Sequence, residues 1–217
     1  KTERQAIVRS KCALRFDLEP DDINLLWYEL LVRNGIESLI AFDGLHDLGN
    51  LEGGLKHAKK LGARTQGWLI FSESPVHTDE LYVAKAREFL DRCEVTSLMI
   101  EDTSGILTPE RLRTLAPALQ AEIGPDVPLG LHTHNLSGLG QSLYIEAARL
   151  GIDNIYTCIS PIADGNAPPS IQTTARNLRH YGFEVAVDDT LLAEIGAHFE
   201  DVAIRSGHPL GRPQDFD

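Results

Sequence analysis

Cysteine is scarce in this chain. Among 217 residues there are three, Cys12, Cys93 and Cys158, odd in number, far apart and outside any CxxC spacing. Neither a disulfide framework nor a thiolate metal site is indicated, and a reducing, cytoplasmic setting fits best. Long apolar runs are missing too: no stretch approaches the roughly 18 residues that a membrane span needs. The opening Lys1-Thr2-Glu3-Arg4 is too polar for a signal peptide. Positive charge is also short, with 20 Lys and Arg against 32 Asp and Glu and a formal net charge of -12. That balance argues against a nucleic acid or an anionic membrane as partner and suits a small diffusible substrate. No low-complexity segment or interdomain linker interrupts the chain. No GxGxxG or GxxxxGK loop follows an expected strand, which removes the main support for a dinucleotide or nucleotide fold. What is present, at 42% hydrophobic content, suffices for one sizeable core, so one domain over 1–217 is expected.

Short apolar or β-branched runs alternate with helical patterns. The spacing predicts strands at Gln5–Arg9, Ser38–Phe42, Thr65–Phe71, Ser97–Ile100, Pro128–Leu131 and Asn154–Ile159. Between them it predicts helices from Pro20 to Arg33, Leu51 to Leu61, Asp79 to Arg92, Thr108 to Ile123, Gly140 to Leu150 and Ser170 to Tyr181. Pro20, Asp21, Asp22 and Thr108-Pro109 serve as start signals, and Asn34-Gly35 and Gly62 as stops. A last helix over about 188–205, broken by Gly207, has no strand before it. Strict alternation means right-handed βαβ units and a parallel sheet. Six units exceed a small flavodoxin-like domain and fall short of a closed eight-stranded barrel. The unusual residues decide between them. Arg9, Asp43, Ser72 with Glu73, Glu101 with Asp102, His132 with His134, and Ser160 to Asn166 all fall at or just past strand C-terminal ends. A barrel gathers those edges around one point, whereas an open sheet spreads them along a line. The expected fold is therefore a TIM (β/α)8 barrel whose first two βα units are absent from this sequence.

The segment Leu131-His132-Thr133-His134-Asn135 carries the strongest chemical signal. Side chains two apart on a strand share a face, so His132 and His134 point the same way. Two imidazoles side by side are half of a divalent-metal site; alternatively, both are polar caps on a strand.

Five segments in order then resemble one family. Asn34-Gly35-Ile36 followed by 41–47 (AFDGLHD) resembles NGI and FDALND. Residues 74–78 read SPVHT, 100–107 (IEDTSGIL) resemble IKDMAGLL, 132–138 (HTHNLSG) resemble HTHDTSG, and Ile159-Ser160-Pro161 also fits. The chain is similar to the carboxyltransferase domain of pyruvate carboxylase and to the oxaloacetate decarboxylase α subunit. These are metal-dependent lyase barrels, a group that includes isopropylmalate synthase and hydroxymethylglutaryl-CoA lyase. The resemblance implies that the strands present are the family's third to eighth. It implies His132 and His134 as metal ligands and Arg9 as the contact to the carboxylate of a 2-oxo acid, for which a guanidinium is suited because it can bind both oxygens. The family's first-strand aspartate ligand has no counterpart here.

Departures from the pattern concern the chemistry. Glu101 fills the place of the family's carbamylated lysine, with a side chain about three atoms shorter, while metal–ligand distances tolerate only about 0.2 Å. The metal then sits closer to this strand, or Glu101 reaches it through water, or Glu101 is a general base, or the site is empty. Asn166 replaces the threonine that shuttles a proton to biotin, which an amide cannot do, and it resembles an asparagine ligand of the isopropylmalate synthase branch. As a residue before two prolines, Asn166 also suits a plain turn. Phe16 replaces a family tyrosine. Asp43 is either a hydrogen-bond partner that orients a ligand or a catalyst. His46 and His77 are rim residues at most, and His180 is a surface residue.

The resemblance and these departures imply an enzyme acting on a 2-oxo or β-keto acid through a metal-stabilised enolate, as decarboxylase, carboxyltransferase or lyase. Its catalytic residues are Arg9, Glu101, Asp102 and Asn166; its metal (Zn, Mn, Co or Mg) is held by His132, His134 and Glu101; its substrate is bound by Arg9, Asp43 and Asn166. Glu101 or Asp102 moves the proton if burial raises its pKa. Biotin is not expected, and a homo-oligomer is. The competing expectation is a barrel with altered catalytic residues that serves as a binding or assembly module.

Overall fold

The computed structural model describes residues 2–12 and 17–211. Phe16 lies outside the described residues. Six strands form one sheet in sequence order, β1 to β6. The residues fall into two compact units, the first made of 1–70, 76–100 and 118–129, the second of 71–75, 101–117 and 130–217.

The first unit holds β1 (Gln5–Ile7), α1 (Asp21–Arg33), β2 (Ser38–Ala41), α2 (Glu52–Lys60), β3 (Arg64–Ile70) and α3 (Asp79–Glu88), together with the start of β4 (Ser97–Asp102). β1 and β2 run parallel with Gln5 opposite Ser38, and β2 and β3 with Ser38 opposite Arg64. β2 is buried along its whole length, as a parallel strand covered on both faces must be. Thr78 caps α3 through its hydroxyl, which accepts from the Leu81 amide. The helix expected to run to Arg92 instead loosens into a π-helical turn over Phe89–Cys93 and stops at Glu94 in a left-handed conformation. That turn lays the buried Phe89 ring on β3 at Gly67, where a Cβ would come within 2.5 Å of the ring. Trp68, Leu39, Leu55 and Tyr28 complete this core.

The second unit holds the last two residues of β4, the start of α4 (Pro109–Ile123), most of β5 (Leu129–Thr133), α5 (Gly140–Arg149), β6 (Asn154–Ile155), α6 (Ile171–His180) and α7 (Asp189–Ser206). Thr108 caps α4, Ser170 caps α6 and Asp188 caps α7. β5 and β6 are parallel, Gly130 opposite Asn154. β6 is much shorter than the strand expected to reach Ile159. After Tyr156 the backbone leaves the sheet, and Cys158 exchanges bonds with Pro169 and Ile171 instead. The core contains Leu107, Leu112, Leu131, Leu143 and Tyr144.

Alternation of strand and helix is thus as the sequence predicts, and the parallel α/β sheet it implies is present with six strands. Two strand ends lie further on than expected. β4 runs to Asp102 and β5 to Thr133, so Glu101, Asp102 and His132 are strand residues rather than loop residues. Among the described residues no helix is long and apolar enough to cross a membrane.

Candidate metal centre

The adjacent tips of β4 and β5 carry the site. Alternation along β4 sends Glu101 and Asp102 to opposite faces, and along β5 it separates His132 from Thr133. One ligand atom from each of Glu101, His132 and His134 falls within 4.8 Å of the others. The two imidazole centroids are 5.2 Å apart, and His132 Nδ1 is 3.5 Å from Glu101 Oε2. The site is dry: Glu101 is 2% exposed and His132 9%.

Dryness sets the charges. Burial first, and the neighbouring Asp102 second, push the Glu101 carboxyl up to about 8. Burial, then His134, push the His132 imidazole down to about 4. Burial lowers His134 as well, against the pull of Asp102. At neutral pH Glu101 therefore keeps its proton and His132 stays neutral, so their 3.5 Å approach is not an ion pair. Glu101 Oε2 is buried with no hydrogen-bond partner. A buried polar atom left so costs about 1–3 kcal/mol. Two neutral imidazoles and one carboxylate form a donor set that suits a divalent first-row cation. Two atoms each about 2.1 Å from one ion stand at most about 4.2 Å apart, so a small side-chain adjustment closes the group on a cation. The residues present fit a metal.

The rest of this edge is built by Asp102, expected from the sequence as catalytic, and by Thr133 and Asn135, to which sequence reasoning gave no role. Thr133, between the two histidines, donates from Oγ1 to Asp102 Oδ2 at 2.8 Å. Asp102 also accepts the Ile106 and Leu107 amides, each at 3.0 Å, so its carboxylate is held by three donors. Burial pushes its carboxyl up, and these bonds oppose that shift. Asn135 accepts the Gly140 amide at the start of α5 and donates to Asp164 at 2.6 Å. The sequence signal for Thr133 and Asn135 was their place in the 132–138 motif, Thr133 between the two histidines and Asn135 directly after them. Gly105 adopts φ 64, and a Cβ there would lie 2.5 Å from the His134 carbonyl oxygen.

Of the other expected site residues, Asn166 is exposed in a cleft with Ile162, Asp164 and Leu210. Arg9 and Asp43 belong to the first unit. Arg9 follows β1, half-buried, with φ 50, a conformation that non-glycine residues seldom hold. Asp43 accepts from the Leu45 and Asp47 amides and from Asn50 Nδ2, closing the loop after β2. Burial raises its carboxyl, but Asn50, the two amides and His46 outweigh that and leave it below the usual range. His46 is buried rather than on the rim, its ring edge-on to Tyr82 at 5.9 Å, while His77 packs against the same tyrosine. His180 is exposed at the end of α6, as expected.

With two histidines and a glutamate gathered at the tips of parallel strands, the chain can be placed in a class: it belongs to the HMGL-like family, whose model matches residues 49–198. It is 32% identical over 202 residues to a pyruvate carboxylase subunit of Methanothermobacter thermautotrophicus, covering 93% of this chain and 35% of that protein. It is 26% identical over 198 residues to the methylmalonyl-CoA carboxyltransferase 5S subunit of Propionibacterium freudenreichii, covering 91% and 39%. Among solved structures, the carboxyl transferase domain of Rhizobium etli pyruvate carboxylase shares its fold. A variant of that domain with pyruvate superposes with a TM-score of 0.89 at 17% identity, over 98% of this chain and 37% of that one. The domain with pyruvate and biocytin gives a TM-score of 0.85 at 18% identity, over 91% and 34%. The chain spans little more than a third of the length of these curated relatives.

Proposed function

We propose that this chain forms part of a metal-dependent enzyme that makes or breaks a C–C bond beside the oxo group of a 2-oxo or β-keto acid, with Glu101, His132 and His134 as ligands of a divalent Zn, Mn, Co or Mg ion. The observation that carries the reading is the convergence of these three groups around the unpartnered Glu101 Oε2. A cation bound there would polarise the substrate carbonyl as a Lewis acid. Of the roles open to Glu101, direct ligation is the one this closeness supports, because its carboxylate already lies within 4.8 Å of the imidazole ligand atoms. Neutral His132 offers a lone pair without first losing a proton, and Glu101 surrenders its proton to become an anionic ligand.

Asn166, exposed in its cleft, is proposed as a substrate contact, and Arg9 as a carboxylate-binding guanidinium on the first unit. Asp43, held by three donors, shapes its loop. Two further βα units beside β1 would cover Ile7 and the exposed Ile23, Leu26 and Leu30 of α1 and complete a barrel. The biotin independence expected from Asn166 finds no support among the relatives, whose names include a carboxyltransferase and one of whose structural neighbours holds biocytin. Carboxyl transfer is accordingly the first reaction to assay, before decarboxylation and lyase cleavage. A homo-oligomer in a reducing cytoplasm, consistent with the three free cysteines, completes the reading.

The test is metal content. After chelation and reloading with Zn, Mn or Co, elemental analysis should find one ion per chain in the wild type and none in His132→Ala. Carboxyl transfer and, failing that, decarboxylation of oxaloacetate should require that ion. A wild-type chain that retains no ion would sink the proposal and leave a binding or assembly module.

A further inference from the structure

We infer that Asp102 and Thr133 are positioning residues that hold the proposed ligand set in register. The inference rests on the metal-site reading above and assigns roles to the side chains on the opposite face of the same two strand tips.

Glu101, His132 and His134 share one face, while Asp102 and Thr133 alternate with them. Asp102 is fully buried, and both of its oxygens are engaged: Oδ1 accepts the Ile106 amide, and Oδ2 accepts the Leu107 amide and the Thr133 hydroxyl. These three bonds tie the carboxylate to the 102–107 turn and to the tip of β5. Its backbone carbonyl accepts the His134 and Gly105 amides, at 3.0 and 3.3 Å.

His134 is the first residue beyond β5, so the ladder of that strand does not fix it. What fixes it is this set of bonds. Its amide is held by the Asp102 carbonyl, and its own carbonyl accepts from Thr133 Oγ1 at 3.2 Å and lies against Gly105. The single hydroxyl of Thr133 thus contacts both the residue after Glu101 and the backbone of His134. A slip between the tips would separate the carboxylate from the imidazoles. Partners behind ligands commonly change metal affinity by about 10–100-fold when removed.

The experiment compares Thr133→Val, which keeps the branched shape without the hydroxyl, with Thr133→Ser, which keeps the hydroxyl. Cobalt is titrated into the metal-free proteins, and both the dissociation constant and the visible d–d spectrum of the bound ion are read. Val should weaken cobalt binding by about 10–100-fold and alter the spectrum, and Ser should restore both. If Val does not fold, Thr133→Ala against Thr133→Ser isolates the same hydroxyl. Wild-type affinity and spectrum in the variant lacking the hydroxyl would overturn the inference while leaving the metal site standing. Absence of cobalt binding in the wild type would overturn both.

Discussion

Nδ1 of His132 lies 3.5 Å from Oε2 of Glu101, with a proton on the acid and none to spare on the imidazole at neutral pH. Binding a cation must therefore expel the Glu101 proton. Calorimetric titration of metal at pH 7 in two buffers of different ionisation enthalpy should report release of close to one proton per ion. Release should fall toward zero by about pH 9.5, above the Glu101 value of about 8. No dependence on buffer at pH 7 would show that Glu101 is not a ligand.

The same pair contributes to the pH dependence of stability in the metal-free protein. Glu101 is raised from 4.5 to about 8 in the fold, so its burial costs stability increasingly as pH rises from about 4.5 and fully above about 8. His132 is lowered from 6.5 to about 4, so it costs stability as pH falls through that window. With chelator present, urea midpoints should peak between about pH 5 and 6. Glu101→Gln should match the wild type near pH 5 and exceed it at pH 8.5 by on the order of a few kcal/mol. Equal stability at pH 8.5 would mean that Glu101 is solvated.

Gly105→Ala tests the close approach of the 102–107 turn to His134. The position has φ 64, and a Cβ would press on a backbone carbonyl at 2.5 Å, with no flexible side chain able to give way. A loss of about 1–3 kcal/mol is expected in denaturant titration, together with weaker metal binding because the displaced carbonyl belongs to a ligand residue.

Gly67→Ala is the control outside the site. Its Cβ would collide with the buried Phe89 ring, so a destabilisation of about 1–3 kcal/mol is expected in thermal unfolding, with no change in metal affinity. A change in affinity would show that the site responds to general loosening of the fold.

Much of this arrangement was legible in residue order. The βα alternation, the cap Thr108 and the pairing of His132 with His134 follow from local pattern. The reach of Glu101 was not, because whether a short carboxylate meets two imidazoles depends on how far apart two strand tips stand. Thr133 and Asn135 bond to Asp102 and Asp164, 31 and 29 residues away, and no periodicity reports such partners. Residues 156–159 have the composition of a strand, yet Cys158 pairs with Pro169 and Ile171, which lie beyond the turn. His46 looked like a rim residue because it falls outside the expected strands, and it is buried because Tyr82, from another element, packs against it.

Asn135 joins two things at once, the first amide of α5 and the carboxylate of Asp164. A residue added to or removed from the 161–167 segment would therefore be felt at the root of a helix and one position from His134. Loop-length engineering here, unlike in an ordinary surface connection, should proceed only with compensating changes at 135 and 140.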